Sequence, residues 1–344
     1  MTLLISFQIK KILSVIVEHS GILSRILNAC GKKSSLILMY HHIVEPVETN
    51  LLLEPGMYVT PKTFESHILY LKNYFEISSL KEFISQQNVD IKSRSRPRCV
   101  LTFDDGWCDF YTNVLPLLKK YQVQATVFLP TDFIGSENWF WTDRLAHLIS
   151  NGGEAIPFDA IGRDIPNTLC RQLCRLRGSP HARLDKAIRI LKSCSNETIE
   201  KAISDLSAEL GIGEDLHGRA FLSWEEVEEL SRSGFVQFGS HTASHQILPT
   251  LDDETVRHEL DSSKNELISR RAVDPDFIPF CYPNGNMDER IVAMVREAGY
   301  GAAVTIMPGW NPHDADPFSL KRVGIHQDMT SNTAMFGCRI AGWI

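Results

Sequence analysis

Short apolar runs alternate with longer amphipathic stretches along most of this chain, and that alternation constrains its fold more than any other feature. Runs with strand character cover residues 35–40, 98–103, 125–129, 235–239, 277–282 and 301–305. Between them, residues 61–74, 113–121, 253–270 and 288–298 carry apolar side chains at helical spacing. In the first of these, Phe64, Ile68 and Leu71 share a face, and Thr60 before Pro61 supplies an N-cap with proline in the first turn. Gly299 reads as a helix stop. Strand, helix, strand in repeated order predicts an α/β fold: a parallel sheet needs crossover connections, and helices provide them. From residue 138 to about 220 the texture changes. Residues 169–176, 184–194 and 199–210 read as helices, so this stretch is predicted to be a mostly helical insertion.

The bulk numbers exclude some functions. A chain of 344 residues buries a substantial core without disulfides or structural metals. A formal charge of −7 argues against general nucleic-acid binding, which needs a basic face to displace counterions. The one basic cluster, from Lys92 to Arg98, reads as a solvated linker. The eight cysteines are scattered, with no Cys-x-x-Cys pair, and several lie in apolar runs. They read as reduced core thiols, which fits a cytoplasmic location. At the N-terminus an apolar run over residues 1–9 precedes Lys10-Lys11, the reverse of a secretory signal. No uninterrupted apolar stretch is long enough to span a bilayer. Residues 1–34 are therefore expected to form an amphipathic helical segment packed on a main domain over 35–344, with peripheral membrane contact as the alternative use.

Two constellations carry chemistry. The first is Asp104-Asp105-Gly106, directly after the apolar run 99–103. Neighbouring side chains of a strand face opposite sides, so adjacent carboxylates share a site only where the strand ends and the backbone turns. Gly106 permits such a turn. The second is His241-Thr242-Ala243-Ser244-His245, two imidazoles four positions apart, also just after a predicted strand. Carboxyl ends of parallel strands are where ligands bind in α/β folds. Two imidazoles and one carboxylate hold a divalent cation and leave a position open, as in catalytic zinc sites. Each motif alone is weak: an Asp-Asp-Gly triplet is often a cap, and two histidines are often ordinary core or surface residues. Their shared topological position shifts the balance.

Residues 102–106 and 241–245 resemble the first two motifs of the polysaccharide deacetylases, the NodB-homology group of carbohydrate esterases, and Phe280-Cys281-Tyr282-Pro283-Asn284-Gly285 looks like the third. The likeness runs from about residue 36 to about residue 326. It implies a distorted (β/α) barrel with the site at the carboxyl ends of the strands. It implies that Asp105, His241 and His245 hold the metal, usually zinc, with cobalt or nickel as substitutes, and that Asp104 is the general base. The backbone N–H of Asn284 would stabilise the oxyanion, and Tyr282 and Pro283 would form a wall of the substrate groove. Met39-Tyr40-His41-His42 resembles an early motif of the branch acting on poly-N-acetylglucosamine, which makes His41 the expected general acid; His326 is the candidate that other branches suggest. Many members carry, where Cys281 stands, an arginine that tethers the base, and the motif here offers no such tether.

The activity implied is metal-dependent removal of N-acetyl groups from an acetylated glycan or lipid-linked sugar. The alternatives are a catalytically silent metal-dependent carbohydrate-binding module, or a hydrolase of another amide, a formamido sugar or a non-sugar C–N bond. A glycosidase built on Asp104-Asp105 fits poorly, because adjacent residues cannot flank a glycosidic bond at the needed separation. Trp107, Trp139, Trp141 and Trp310 offer flat apolar surfaces for sugar stacking, with Trp310 the first to test, although such residues more often serve packing.

Overall fold

The apolar runs become strands of one curled, mainly parallel sheet. The computed structural model describes residues 13–18, 20–31, 34–45, 52–53, 55–85, 96–152, 168–214, 216 and 218–343. Its strands are β1 (Ser34–Tyr40), β2 (His42–Ile43), β3 (Tyr58–Val59), β4 (Glu76–Ile77), β5 (Arg98–Phe103), β6 (Ala125–Leu129), β7 (Val236–Ser240), β8 (Pro279–Cys281), β9 (Ala302–Val304), β10 (Asn311–Pro312) and β11 (Val323–Gly324). Nine of them form a sheet in the order β10-β1-β5-β6-β7-β8-β9, with β11 paired to β1 and β4 to β5. The β10–β1 pairing is antiparallel, and the others in this sheet are parallel. The α/β architecture is that of a distorted (β/α) barrel of the NodB-homology type.

The burial pattern explains why these runs were visible in sequence. All six residues of β5 are buried, as for a strand covered on both faces. Side chains alternate along it. Val100 faces inward to a cluster with Ile37, Phe128, Cys281, Val304 and Leu320. Phe103 faces the other way and packs on the rings of Tyr40, Phe64 and Phe110. The irregular segment leading into β11 links the sheet's far edges. Leu320 donates to the Ala303 carbonyl and accepts from the Thr305 N–H, while Ile325 donates to Met39. Residues 320–325 thus touch β9 on one side and β1 on the other.

The helices begin where their caps dictate. Thr60 accepts from the Thr63 N–H ahead of helix Pro61–Tyr74, and Asp252 does the same for Thr255 ahead of helix Asp253–Ser269. Helix Trp224–Arg232, which periodicity alone does not reveal, opens with a full capping box between Ser223 and Glu226. The helix expected over 113–121 is regular only from Leu115 to Tyr121, and Phe110–Val114 forms a widened π turn before it. Pro116 lacks the N–H that would continue the regular ladder.

The chain divides into two compact units. One comprises Met1–Glu45, Pro55–Ser136 and Phe221–Ile344 and contains the sheet; the other comprises Pro46–Glu54 and Glu137–Ala220. The second unit is helical, with helices Trp141–Asn151, Thr168–Cys174, Pro180–Leu191 and Asn196–Leu210 around Leu145, Leu148, Leu184, Ala187, Leu191 and Ile203. Its third helix starts earlier than apolar spacing suggests, because Ser179 caps it and Pro180 fills the first turn. Near the N-terminus, helix Ile22–Gly31 buries Leu23 and Leu27. The apolar run 1–9, the Lys10-Lys11 pair and residues 92–95 of the basic cluster lie outside the described residues. Among the described residues, no helix is long and apolar enough to cross a membrane. All eight cysteines carry free thiols.

Candidate active site

The carboxyl ends of four strands, β1, β5, β7 and β8, converge on one site that Arg322 joins from the segment ahead of β11, and the backbone at each end decides where its side chains point. Asp104 follows β5 on the same face as Val100 and Thr102, so its carboxylate enters the barrel interior. Asp105 then adopts φ +73° and Gly106 φ +68°. Two successive left-handed residues turn the chain so that Asp105 also enters the pocket. A Cβ on Gly106 would sit 2.6 Å from Leu129 Cδ2, which adds to the preference for glycine that the positive φ already sets.

The two adjacent carboxylates end in different company. Asp105 Oδ1 lies 3.5 Å from His241 Nε2 and 3.4 Å from His245 Nε2. These three side chains place ligand atoms within 4.8 Å of one another. His241 Nδ1 donates to the Cys281 carbonyl at 2.7 Å, which fixes the ring and aims Nε2 at Asp105. Trp107 Nε1 donates to Asp105 Oδ2 at 3.1 Å, and the buried indole is stacked on Phe221. One carboxylate oxygen and two imidazole nitrogens, with Asp105 and His241 braced from behind, form a donor set suited to zinc or a similar divalent cation. Burial would raise the Asp105 pKa, but the hydrogen bond to His241 and the nearby His245 drive it far below the ordinary carboxylate range. Burial, followed by the neighbouring His241, holds His245 down at about 4. His245 is therefore neutral at physiological pH, whereas at His241 burial is outweighed by the neighbouring Cys281 and Asp105, which raise the pKa, so a bound cation would have to displace that ring's proton.

The loop carrying the imidazoles is strained and heavily bonded. Thr242 and His245 have φ +66° and +59°. Left-handed backbone is costly for a β-branched residue and persists only where the surroundings enforce it. Here the Thr242 hydroxyl accepts the His245 N–H, the Thr242 N–H reaches Ser240 Oγ, and the Thr242 and Ala243 carbonyls accept from Thr131 and Asp132.

Asp104 is tethered by a residue that the motifs did not reveal. The guanidinium missing from position 281 comes from Arg322, on the segment that links β9 and β1. Arg322 is fully buried and forks onto Asp104, Nη1 to Oδ1 at 2.6 Å and Nη2 to Oδ2 at 2.7 Å. Its remaining donors go to the Thr305 carbonyl, Thr102 Oγ1 and Cys281 Sγ, so all five N–H groups are engaged. Cys281 is short enough to admit this side chain, with its sulfur 3.6 Å from Asp104 Oδ2. Burial alone would raise the Asp104 pKa, and the Arg322 charge and hydrogen bonds outweigh it, so the carboxyl lies below its usual range. Asp104 is thus an ionised, oriented acceptor at neutral pH.

The two candidate acids occupy different settings. His41 Nε2 lies 4.0 Å from Asp104 Oδ2, and burial holds the ring's pKa below the ordinary imidazole value despite both aspartates. His326 sits past β11 with Nδ1 bonded to the Gly56 carbonyl and its other nitrogen against Gly324. Next to His41, His42 donates from Nδ1 to Asp109 Oδ2 at 2.6 Å and lies against Trp107, 4.1 Å between centroids. It braces the indole that braces Asp105.

The other expected site residues lie in the turn after β8, beside the amino end of β1 and in the helical unit. Asn284 is exposed with φ +53°, in the turn Pro283–Gly285 after β8. Tyr282 and Pro283 are buried, and the Tyr282 hydroxyl donates to the Phe318 carbonyl at 2.9 Å. They support that turn from within the core and do not form a groove wall. Trp310 donates to the Ile340 carbonyl and packs near Phe75, beside the amino end of β1. That is the opposite end of the strands from the aspartates, so Trp310 is a packing residue there. Trp139 and Trp141 belong to the helical unit.

Comparison with known proteins identifies the family and the fold. The polysaccharide deacetylase family model matches residues 92–303. A poly-beta-1,6-N-acetyl-D-glucosamine N-deacetylase of Staphylococcus epidermidis is 36% identical over 118 residues, covering 31% of this chain and 40% of that protein. The matched region spans about two fifths of the length of the curated relatives. Among solved structures, the Streptococcus pyogenes deacetylase PplD in complex with acetate superposes with a TM-score of 0.54 at 19% identity, over 86% of this chain and 94% of that one. IcaB from Ammonifex degensii gives 0.54 at 15% identity, over 89% and 97%. At these identities the two structures establish the shared fold.

Proposed function

The chain belongs to the polysaccharide deacetylase family, and we propose that it is a metal-dependent hydrolase that removes N-acetyl groups from the amino sugars of a polysaccharide or glycan precursor. The observation that carries this reading is the division of labour between two adjacent acids. Asp104 is bound to a guanidinium and Asp105 faces two imidazoles, in one pocket. A pair of carboxylates so separated electrostatically suits one base and one ligand.

Asp105, His241 and His245 would hold the cation, which when bound supplies Lewis-acid polarisation of the acetamide carbonyl and makes water more acidic. Asp104 takes a proton from the attacking water. The hydroxyl adds to the acyl carbon, and the N–H of Asn284 donates to the oxyanion that results. The proton taken by Asp104 passes to His41, whose Nε2 lies 4.0 Å away, and His41 delivers it to the departing nitrogen as the C–N bond breaks, giving acetate and a free amine. His41 is preferred over His326 because its ring reaches Asp104, whereas the His326 Nδ1 is engaged with Gly56.

The test is acetate release by zinc-loaded protein over a panel that includes poly-β-1,6-N-acetylglucosamine oligomers, chitin oligomers and lipid-linked N-acetyl sugars. Turnover on at least one of them is expected. Metal uptake with no acetate released from any member would instead support a binding module, and release of formate from formamido sugars would redirect the substrate class.

A further inference from the structure

Helix Asp253–Ser269 presents a buried carboxylate to the loop that carries both imidazoles, and no step of the mechanism uses it. Glu259 is 3% exposed. Its Oε2 accepts the backbone N–H groups of Ala243 and Ser244, at 3.0 and 2.9 Å, and its Oε1 accepts from the Ser244 hydroxyl and from Gln246 Nε2. One turn on, Ser263 Oγ lies 2.7 Å from Ser240 Oγ, which accepts the Thr242 N–H. The same helix face otherwise buries Val256, Leu260 and Leu267. A carboxylate on such a face is expensive unless its oxygens are filled. Here its bonds go to residues 243, 244 and 246, the arc that flanks His245.

We propose that Glu259 is the positioning residue for the imidazole pair: by gripping residues 243–246 it fixes the separation of His241 and His245, and so sets the affinity of the pocket for a divalent cation. The inference rests on the metal-site reading above. The left-handed conformations of Thr242 and His245 need enforcement. Thr131 and Asp132 bond the carbonyls of this loop from one side, whereas Glu259 bonds its N–H groups from the other. An anionic acceptor gives stronger bonds to two N–H groups than a neutral amide does. Replacing it with glutamine keeps the shape but turns one acceptor oxygen into an NH2 that faces N–H donors. The loop then relaxes, and His245 leaves the position from which it faces Asp105.

The experiment measures Zn2+ affinity by chelator competition, and the visible absorption of the Co2+-loaded protein, for wild type, Glu259→Gln, Glu259→Asp, Ser244→Ala and Leu267→Ala. Glu259→Gln is expected to weaken Zn2+ binding about tenfold to a hundredfold, the range for partners lying behind metal ligands, and to change the Co2+ spectrum. Ser244→Ala and Glu259→Asp should weaken it less. Leu267→Ala, two turns along the same helix, should lower the melting temperature and leave affinity and spectrum unchanged. If Glu259→Gln does not fold, Glu259→Asp and Ser244→Ala decide. Wild-type affinity in the Glu259 and Ser244 variants overturns the inference, as does an equal loss in Leu267→Ala. Failure of wild type itself to take up Zn2+ removes the metal-site reading and this inference with it, and so is distinguishable from either of those results.

Discussion

Arg322 grips both carboxylate oxygens of Asp104, at 2.6 and 2.7 Å, from 218 residues further along the chain. The pair is buried on both sides, so its removal is felt twice, in stability and in chemistry. In Arg322→Met the carboxylate stays buried without a counter-charge, which costs about 3–5 kcal/mol. Turnover should fall roughly a hundredfold or more, because the base loses its aim. Arg322→Lys keeps a charge but not the fork, and should lie between. Both variants that fold should still bind one Zn2+. Melting temperatures, acetate release and metal stoichiometry check the three parts, and full turnover in Arg322→Met would dismiss the tether.

Asp104 and Asp105 differ by one position and should differ in kind when mutated. Asp104→Asn is expected to keep metal and lose about 10²–10⁴ in turnover. Asp105→Asn and His241→Ala are expected to lose metal along with activity. Chelation of the wild type should abolish activity and lower the melting temperature, and Zn2+ at a hundredfold excess over Kd should restore about 2.7 kcal/mol of stability. An Asp104→Asn enzyme running at the parent rate would refute its role as base.

His41→Gln and His326→Gln separate the two possible proton donors. The first should reduce kcat by about 10²–10⁴. The second should act mainly on stability through the lost bond to Gly56, with kcat changed less than tenfold. The opposite ranking of kcat values would assign the acid to His326.

His67 makes stability depend on pH away from the site. It is buried, its Nε2 donates to the Thr330 carbonyl, and Nδ1 accepts from Tyr40 Oη. Burial lowers its pKa from 6.5 to about 4. The unfolded chain therefore binds the extra proton between those values. Stability is complete above about 6.5 and declines as the pH falls toward 4, by up to about 3 kcal/mol. Urea midpoints from pH 4.5 to 7.5 should show this slope in wild type and a flatter one in His67→Gln. Parallel slopes would remove the assignment.

Most of the sheet was legible because its strands are covered on both faces, which leaves apolar runs such as 98–103 with little polar interruption. The aspartates and histidines were legible because each group directly follows a strand. Arg322 was not, because Lys321-Arg322 reads like a surface pair. Its one clue is the spacing of two from Leu320, which places both residues on the inward face of an extended segment. Trp107 and Trp310 show the opposite difficulty. An indole looks the same in sequence whether it binds a sugar, braces an aspartate or donates to a helix carbonyl. Glu259 was hidden by its helix, where an acidic residue ordinarily marks the solvent side.

The placement of Arg322 also bears on biosynthesis. Asp104 leaves the ribosome long before its guanidinium does. Until residues 320–325 dock between β9 and β1, an ionised Asp104 has no guanidinium to offset its burial. A translation product arrested ahead of Arg322 should therefore leave Asp104 without its partner and be open to cellular proteolysis.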